Sequence, residues 1–104
     1  MYNKLIKELI FGFVKIHILY HAGKEPIFGQ EFREELKRHG YEISFGTLYP
    51  IFHRLEKDGF IISYKEKVKG KIRKYYKSTT KGRKVLSMAK IKAKELVNEI
   101  LELH

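Results

Sequence analysis

The sequence has no cysteine, no tryptophan, two prolines and one aspartate, Asp58. Without cysteine there is no disulfide scaffold, no thiolate-held zinc or iron–sulfur cluster and no thiol nucleophile. The composition fits a reducing, cytoplasmic setting. No apolar run approaches the ~18 residues of a membrane span. The opening Met1-Tyr2-Asn3-Lys4-Leu5 is amphipathic and charged every few residues, unlike a signal peptide. Catalysis has equally little to work with. There is no glycine-rich loop after a strand and no recognisable serine–histidine–acid set, so a non-enzyme without a bound cofactor is expected.

What the chain does have is positive charge. Its 104 residues carry 22 Lys and Arg against 12 Asp and Glu, a net charge of +10. A chain of this length forms one domain-sized unit with a real core, and an apolar fraction of 43% argues against disorder. The charge is unevenly placed. Residues 1–53 are nearly neutral at +1, residues 54–94 carry +12, and residues 95–104 carry −3. Within 65–84 there are ten Lys or Arg and one acid, Glu66, interleaved with apolar and aromatic residues. A basic run of that kind belongs to a folded surface, the electrostatic footprint of nucleic-acid binding.

Periodicity supplies the elements. Leu5, Ile6, Leu9, Ile10, Phe13, Val14, His17 and Tyr20 recur at helical spacing over 3–20. Ile16, Ile18 and Leu19 widen the apolar surface, so one side can face the core and another a partner. Gly23 and Pro26 are expected to stop this helix. Phe28, Phe32 and Leu36 mark a second helix over 29–39, with Gly40 as its terminal cap. Ser44 is a plausible N-cap for a third helix over about 45–58, with Leu48, Ile51, Phe52 and Leu55 as its stripe. Two helices joined by a short glycine-containing turn read as a helix-turn-helix. Residues 60–64 and 72–76 then read as a two-stranded hairpin, with the basic segment 65–71 and Gly70 at its tip. A hairpin there is a wing.

Thr79 or Thr80 caps a last helix, expected to run to the chain end. Leu86, Ala89, Ala93, Leu96, Ile100 and Leu103 follow a 3-4-3-4-3 spacing, an a/d seam for a second copy of the chain. A helix of about 24 residues is roughly 36 Å long, more than a core this small can cover. The fold class is therefore mainly α with a small β-hairpin. Residues 1–79 would be the winged helix-turn-helix unit, with the first helix packing at the dimer interface, and residues 80–104 a dimerisation helix.

Gly46-Thr47-Leu48-Tyr49-Pro50, followed by Arg54-Leu55-Glu56-Lys57-Asp58-Gly59-Phe60-Ile61, resembles the PadR-type transcriptional regulators. So does Arg73-Lys74-Tyr75-Tyr76-Lys77 with Thr79 and Gly82; Gly29-Gln30-Glu31-Phe32 matches less closely. The likeness covers roughly residues 10–86 and is closest to the branch with one short C-terminal helix. It implies a winged-helix homodimer on palindromic operator DNA, usually a repressor, with room for a small-molecule effector of unknown identity. Ser78 departs from the leucine usual before the threonine. Where drug-sandwiching relatives commonly carry an aromatic, this chain has Lys90-Ile91-Lys92-Ala93-Lys94.

The residues expected at double-stranded DNA follow. Ser44 and Thr47 lie in the first turns of the third helix, the part that reaches base edges; Ser44 is equally a plain cap. Tyr49 on its flank offers a hydroxyl to phosphate or a base edge, or is an amphipathic surface tyrosine. His53 and Lys57 share the outer face with Gly46 and Pro50, as duplex contacts or solvent residues. Pro50 is expected to bend or open the first turn. Arg54 reaches phosphate or pairs with Glu56 or Asp58. Lys67, Lys69, Lys71 and Arg73 on the wing are phosphate contacts. His17 and His21 form an i, i+4 pair, but no third ligand is suggested nearby, so no metal is expected. The competing reading is an architectural nucleic-acid binder using the same surface without sequence preference; a winged helix serving RNA or a protein is a third.

Overall fold

The computed structural model describes residues 3–103. Met1 and Tyr2, the start of the expected winged-helix unit, and His104, the end of the expected last helix, lie outside the described residues.

Asn3 opens the first helix, α1 (Lys4–Lys24), its side chain accepting from the Ile6 amide at 3.0 Å. The helix passes through Gly23 and ends before Pro26, where Glu25 is extended, as a residue preceding proline prefers. Strand β1 (Ile27–Phe28) leads directly into α2 (Gly29–Arg38), which ends at His39 and the left-handed Gly40. Ser44 caps α3 (Phe45–Lys57), accepting from the Thr47 amide. Then come β2 (Ile61–Val68), β3 (Lys71–Ser78) and α4 (Thr80–Ile100). Thr79 is the α4 cap, accepting from the Gly82 amide at 3.1 Å and donating to the Gly59 carbonyl at 2.7 Å.

Gly23 therefore does not stop the first helix, and three further features differ from the expectation. First, the sheet has three strands in the order β1-β3-β2, all antiparallel, because Ile27 and Phe28 pair with Tyr76 and Tyr75. A two-residue strand has no period to read; only its partner creates it. Second, the hairpin extends to Val68 and Lys71 around a two-residue turn. Lys69 and Gly70 both have positive φ, as a type I′ turn requires. Segment 65–68 is therefore strand and not loop. Third, α4 stops at Ile100, so Leu103, the last expected seam residue, lies beyond the helix.

The core is built where α1, α2, α3 and the sheet meet. Val14, Ile18, Phe32, Leu36, Leu48, Phe52 and Ile61 are fully buried. The Phe52 ring stacks on Tyr76 at 4.3 Å and meets Phe32 edge-on. The face of α1 that enters this core is Ile10, Val14, Ile18 and Ala22; Leu5, Leu9, Phe13, Ile16 and Tyr20 lie on the opposite face, exposed. Gly82 seats α4 on the base of the wing, because a Cβ there would collide with the Phe60 carbonyl. The radius of gyration is 14.9 Å, above the ~13 Å of a compact chain of this length. The excess reflects the distal half of α4, which no other element covers among the described residues.

Candidate nucleic-acid interface

Helix α3 buries Leu48, Phe52 and Leu55 and leaves Gly46, Tyr49, Pro50, His53, Arg54 and Lys57 exposed. The split follows from helical period alone. At its first turn the Ser44 and Thr47 hydroxyls lie 3.3 Å apart and exposed. The helix continues unbroken through Pro50, which removes the i+4 donor for the Gly46 carbonyl on the exposed face. Tyr49 is 48% exposed, with its ring stacked on Phe45 and lying against the backbone of Gly29. Its position on the flank is thus held from two sides. Arg54 pairs with Asp58 at 3.2 Å and remains largely in solvent. His53 and Lys57 are exposed on the outer face.

Strand alternation sorts the wing. Residues paired across the ladder share a face. Lys65, Lys67, Lys74 and Ile72 lie on the face that continues from Ile61 and Tyr76, the side packed against α3. Lys71, Arg73 and Lys77 lie on the other face with Tyr64 and Tyr75, and Lys69 sits in the turn. The four expected wing residues are therefore distributed over two faces and the tip. Arg73 lies over the Phe28 ring, 4.5 Å from its centroid. Lys65 and Lys74 stand directly opposite each other, a like-charge pair that is unfavourable in a sheet and that Glu56, 3.9 Å from Lys74, partly offsets. Neither was singled out from the sequence, since only the register pairs them.

Several positioning residues also escaped the sequence reading. Arg33 donates to the Ile43 carbonyl at 3.0 Å and lies over the Phe45 ring, tying α2 to the turn that enters α3. Glu56 accepts from the Ser63 hydroxyl and lies 3.9 Å from Lys74, joining α3 to the wing. Lys81 donates to the Asp58 carbonyl at 2.8 Å. Each is a charged residue in an ordinary helical or strand pattern, and its partner is set by tertiary structure.

The seam residues on α4 divide in two. Leu86 and Ala89 are half-buried, whereas Ala93, Leu96, Ile100 and Leu103 are exposed. An open apolar depression of about 440 Å³ lies between α1 and α4, lined by Phe13, Ile16, His17, Tyr20, Tyr41, Leu86 and Lys90. Elsewhere the fold overturns one expectation: His39 reaches the His17–His21 pair, so a third imidazole is present.

A helix-turn-helix followed by a hairpin wing, with a free polar face on its second helix, defines a winged-helix protein. Residues 18–88 match the transcriptional regulator PadR-like family, and the chain belongs to that family. It is 43% identical over 96 residues to the transcriptional regulator Rv3488 of Mycobacterium tuberculosis, covering 92% of this chain and 90% of that one. Its fold is similar to a PadR-like transcription factor from Bacteroides fragilis, with a TM-score of 0.81, 27% identity and coverage of 98% and 100% of the two chains. A PadR family regulator from Eggerthella lenta gives a TM-score of 0.80 at 31% identity, covering 95% of this chain and 88% of that one. The chain is a transcriptional regulator by family, and DNA binding goes with that class. Among the described residues no helix is long and apolar enough to cross a membrane.

Proposed function

We propose that the chain is a repressor that binds a palindromic operator as a homodimer in the cytoplasm. Residues 3–79 form the reading unit and α4 the coupling element. The observation that carries the reading is the exposed face of α3, from Ser44 and Thr47 to Lys57, flanked by wing lysines with few acidic partners. Base edges are reached from the first turn of α3, and the wing neutralises backbone phosphate. Dimerisation is supported by two bare apolar stripes. Leu5, Leu9, Phe13, Ile16 and Tyr20 on α1, and Leu96, Val97 and Ile100 on α4, are exposed among the described residues, and a contiguous exposed apolar stripe marks an interaction surface. The depression between α1 and α4 is where an effector would enter.

Selection of bound fragments from genomic DNA tests this. The expected product is an inverted repeat with half-sites about 34–36 Å apart, or a multiple. Recovery of no inverted repeat, with equal affinity for random duplex at physiological salt, would establish the architectural reading instead.

A further inference from the structure

His17 and His21 lie one turn apart on α1, and the chain brings to them His39, the residue that ends α2. One nitrogen from each of the three falls within 4.8 Å of the others. The His17 and His21 rings are stacked at 6.1 Å, and the His39 ring lies 4.8 Å from His17. We propose that His17, His21 and His39 bind a divalent transition-metal ion of the zinc, cobalt or nickel type.

The donor set suits those ions. Imidazole favours borderline metals, and no thiolate or cluster of carboxylates is present to prefer softer or harder ones. Zinc takes imidazole nitrogen at about 2.0–2.1 Å, which places tetrahedral donors about 3.3 Å apart. The remaining gap would be closed mainly by rotation of His39, the exposed member of the three. A metal needs the neutral imidazole. Burial holds His17 below the usual histidine range, with the neighbouring His39 and His21 adding to it. Burial lowers His21 as well, against the pull of Glu35 and with His39, Lys24 and Arg38 on the same side as burial.

A carboxylate stands behind the site. Glu35 lies 3.5 Å from His21 Nε2, and its other oxygen is held by Arg38 at 2.7 Å. Carboxylates in that position orient metal-bound imidazoles and raise their basicity. Tyr41 packs edge-on against His17, and Tyr20 and Phe32 edge-on against His21, so one side of the cluster is walled by rings. The placement has a mechanical consequence. Two ligands belong to α1, which also carries an apolar stripe, and the third belongs to the turn between α2 and α3. A bound ion would tie the two together.

The test uses the full-length chain without an affinity tag, stripped with a chelator and then titrated with Co²⁺, followed by competition with Zn²⁺. We expect one Co²⁺ per chain, the visible absorption of nitrogen-ligated cobalt, and its displacement by zinc. His39→Gln changes an exposed residue, so circular dichroism should be unchanged while affinity falls more than about 100-fold. Glu35→Gln should weaken binding about tenfold. His17→Gln is measured alongside, with loss comparable to His39→Gln. Absence of the absorption band, or His39→Gln binding as tightly as the parent chain, would overturn the proposal. The titration contains no DNA, so its outcome is separate from that of the operator reading.

Discussion

Helices α3 and α4 are built on the same rule and end in opposite states. Each has a stripe of apolar residues at three- and four-residue spacing. That of α3 is covered by its own chain, with Leu48 and Phe52 fully inaccessible and Ile51 partly buried at its edge. That of α4 starts on the body of its own chain, at Gly82, Val85 and Leu86, and then continues uncovered, with Leu96 at 55% and Ile100 at 65% exposure. What each helix leaves bare also differs. On α3 it is a polar face of hydroxyls, His53 and cations; on α4 it is the apolar stripe itself. A polar face beside lysines suits a phosphate-lined groove, and an apolar stripe suits another copy of the chain. Under the proposed function the difference separates affinity for DNA from assembly, and the two should be breakable independently.

The largest effect should come from the buried stripe. Phe52→Ala removes the ring between Phe32 and Tyr76 and should cost about 3–5 kcal/mol, a large share of the stability of a small domain. Chemical denaturation will show it as a lowered midpoint. Leu96→Arg should yield monomers in sedimentation, lowering the midpoint only by the concentration-dependent contribution of the dimer. A dimer persisting there would shift the interface to α1. Next come the residues proposed to read base edges. Thr47→Val keeps the shape of the first turn but deletes a hydroxyl, and should cost about 1–3 kcal/mol at one position of the operator. The salt dependence of binding should not change. Replacing Lys69 and Lys71 with Ala should do the reverse, weakening all sequences alike and reducing the salt slope by about one for each lysine.

The smallest effect lies where α1 meets the end of α2. His17 and His21 have folded-state proton affinities lowered chiefly by burial. The unfolded chain therefore binds protons more readily, and their contribution is present above the ordinary histidine value of about 6.5 and lost as pH falls through the lower folded values. Thermal stability should decline as pH falls from neutral through those lowered values, and His21→Gln should flatten that decline. Protonation of Glu35, held low chiefly by its hydrogen bond from Arg38, adds a further loss at still lower pH.

Much of this was legible in the text of the chain. The caps at Ser44 and Thr79, the stripe of α3 and the order helix, helix-turn-helix, wing, helix follow from local chemistry, which the fold respects. What was not legible is pairing between distant segments. Strand β1 exists only through Tyr75 and Tyr76. The wing is longer than expected because alternating lysines hide a strand that the ladder stabilises. On α1, two apolar faces compete at similar spacing, and only packing decides that Val14 and Ile18 enter the core while Leu9 and Phe13 do not. His39 joins His17 because α2 folds back on α1. Of the wing residues, the cross-strand lysine pair Lys65–Lys74 needed the register before its charge could be seen as shared.

In the proposed dimer two recognition helices are joined through apolar surface that the described residues of one chain leave exposed. Sedimentation equilibrium of the chain with a selected operator fragment measures that directly. Two chains per duplex for the parent sequence, reduced to a weakly bound single chain by Leu96→Arg, is the result expected; one parent chain per duplex, with Leu96→Arg binding equally well, would contradict it.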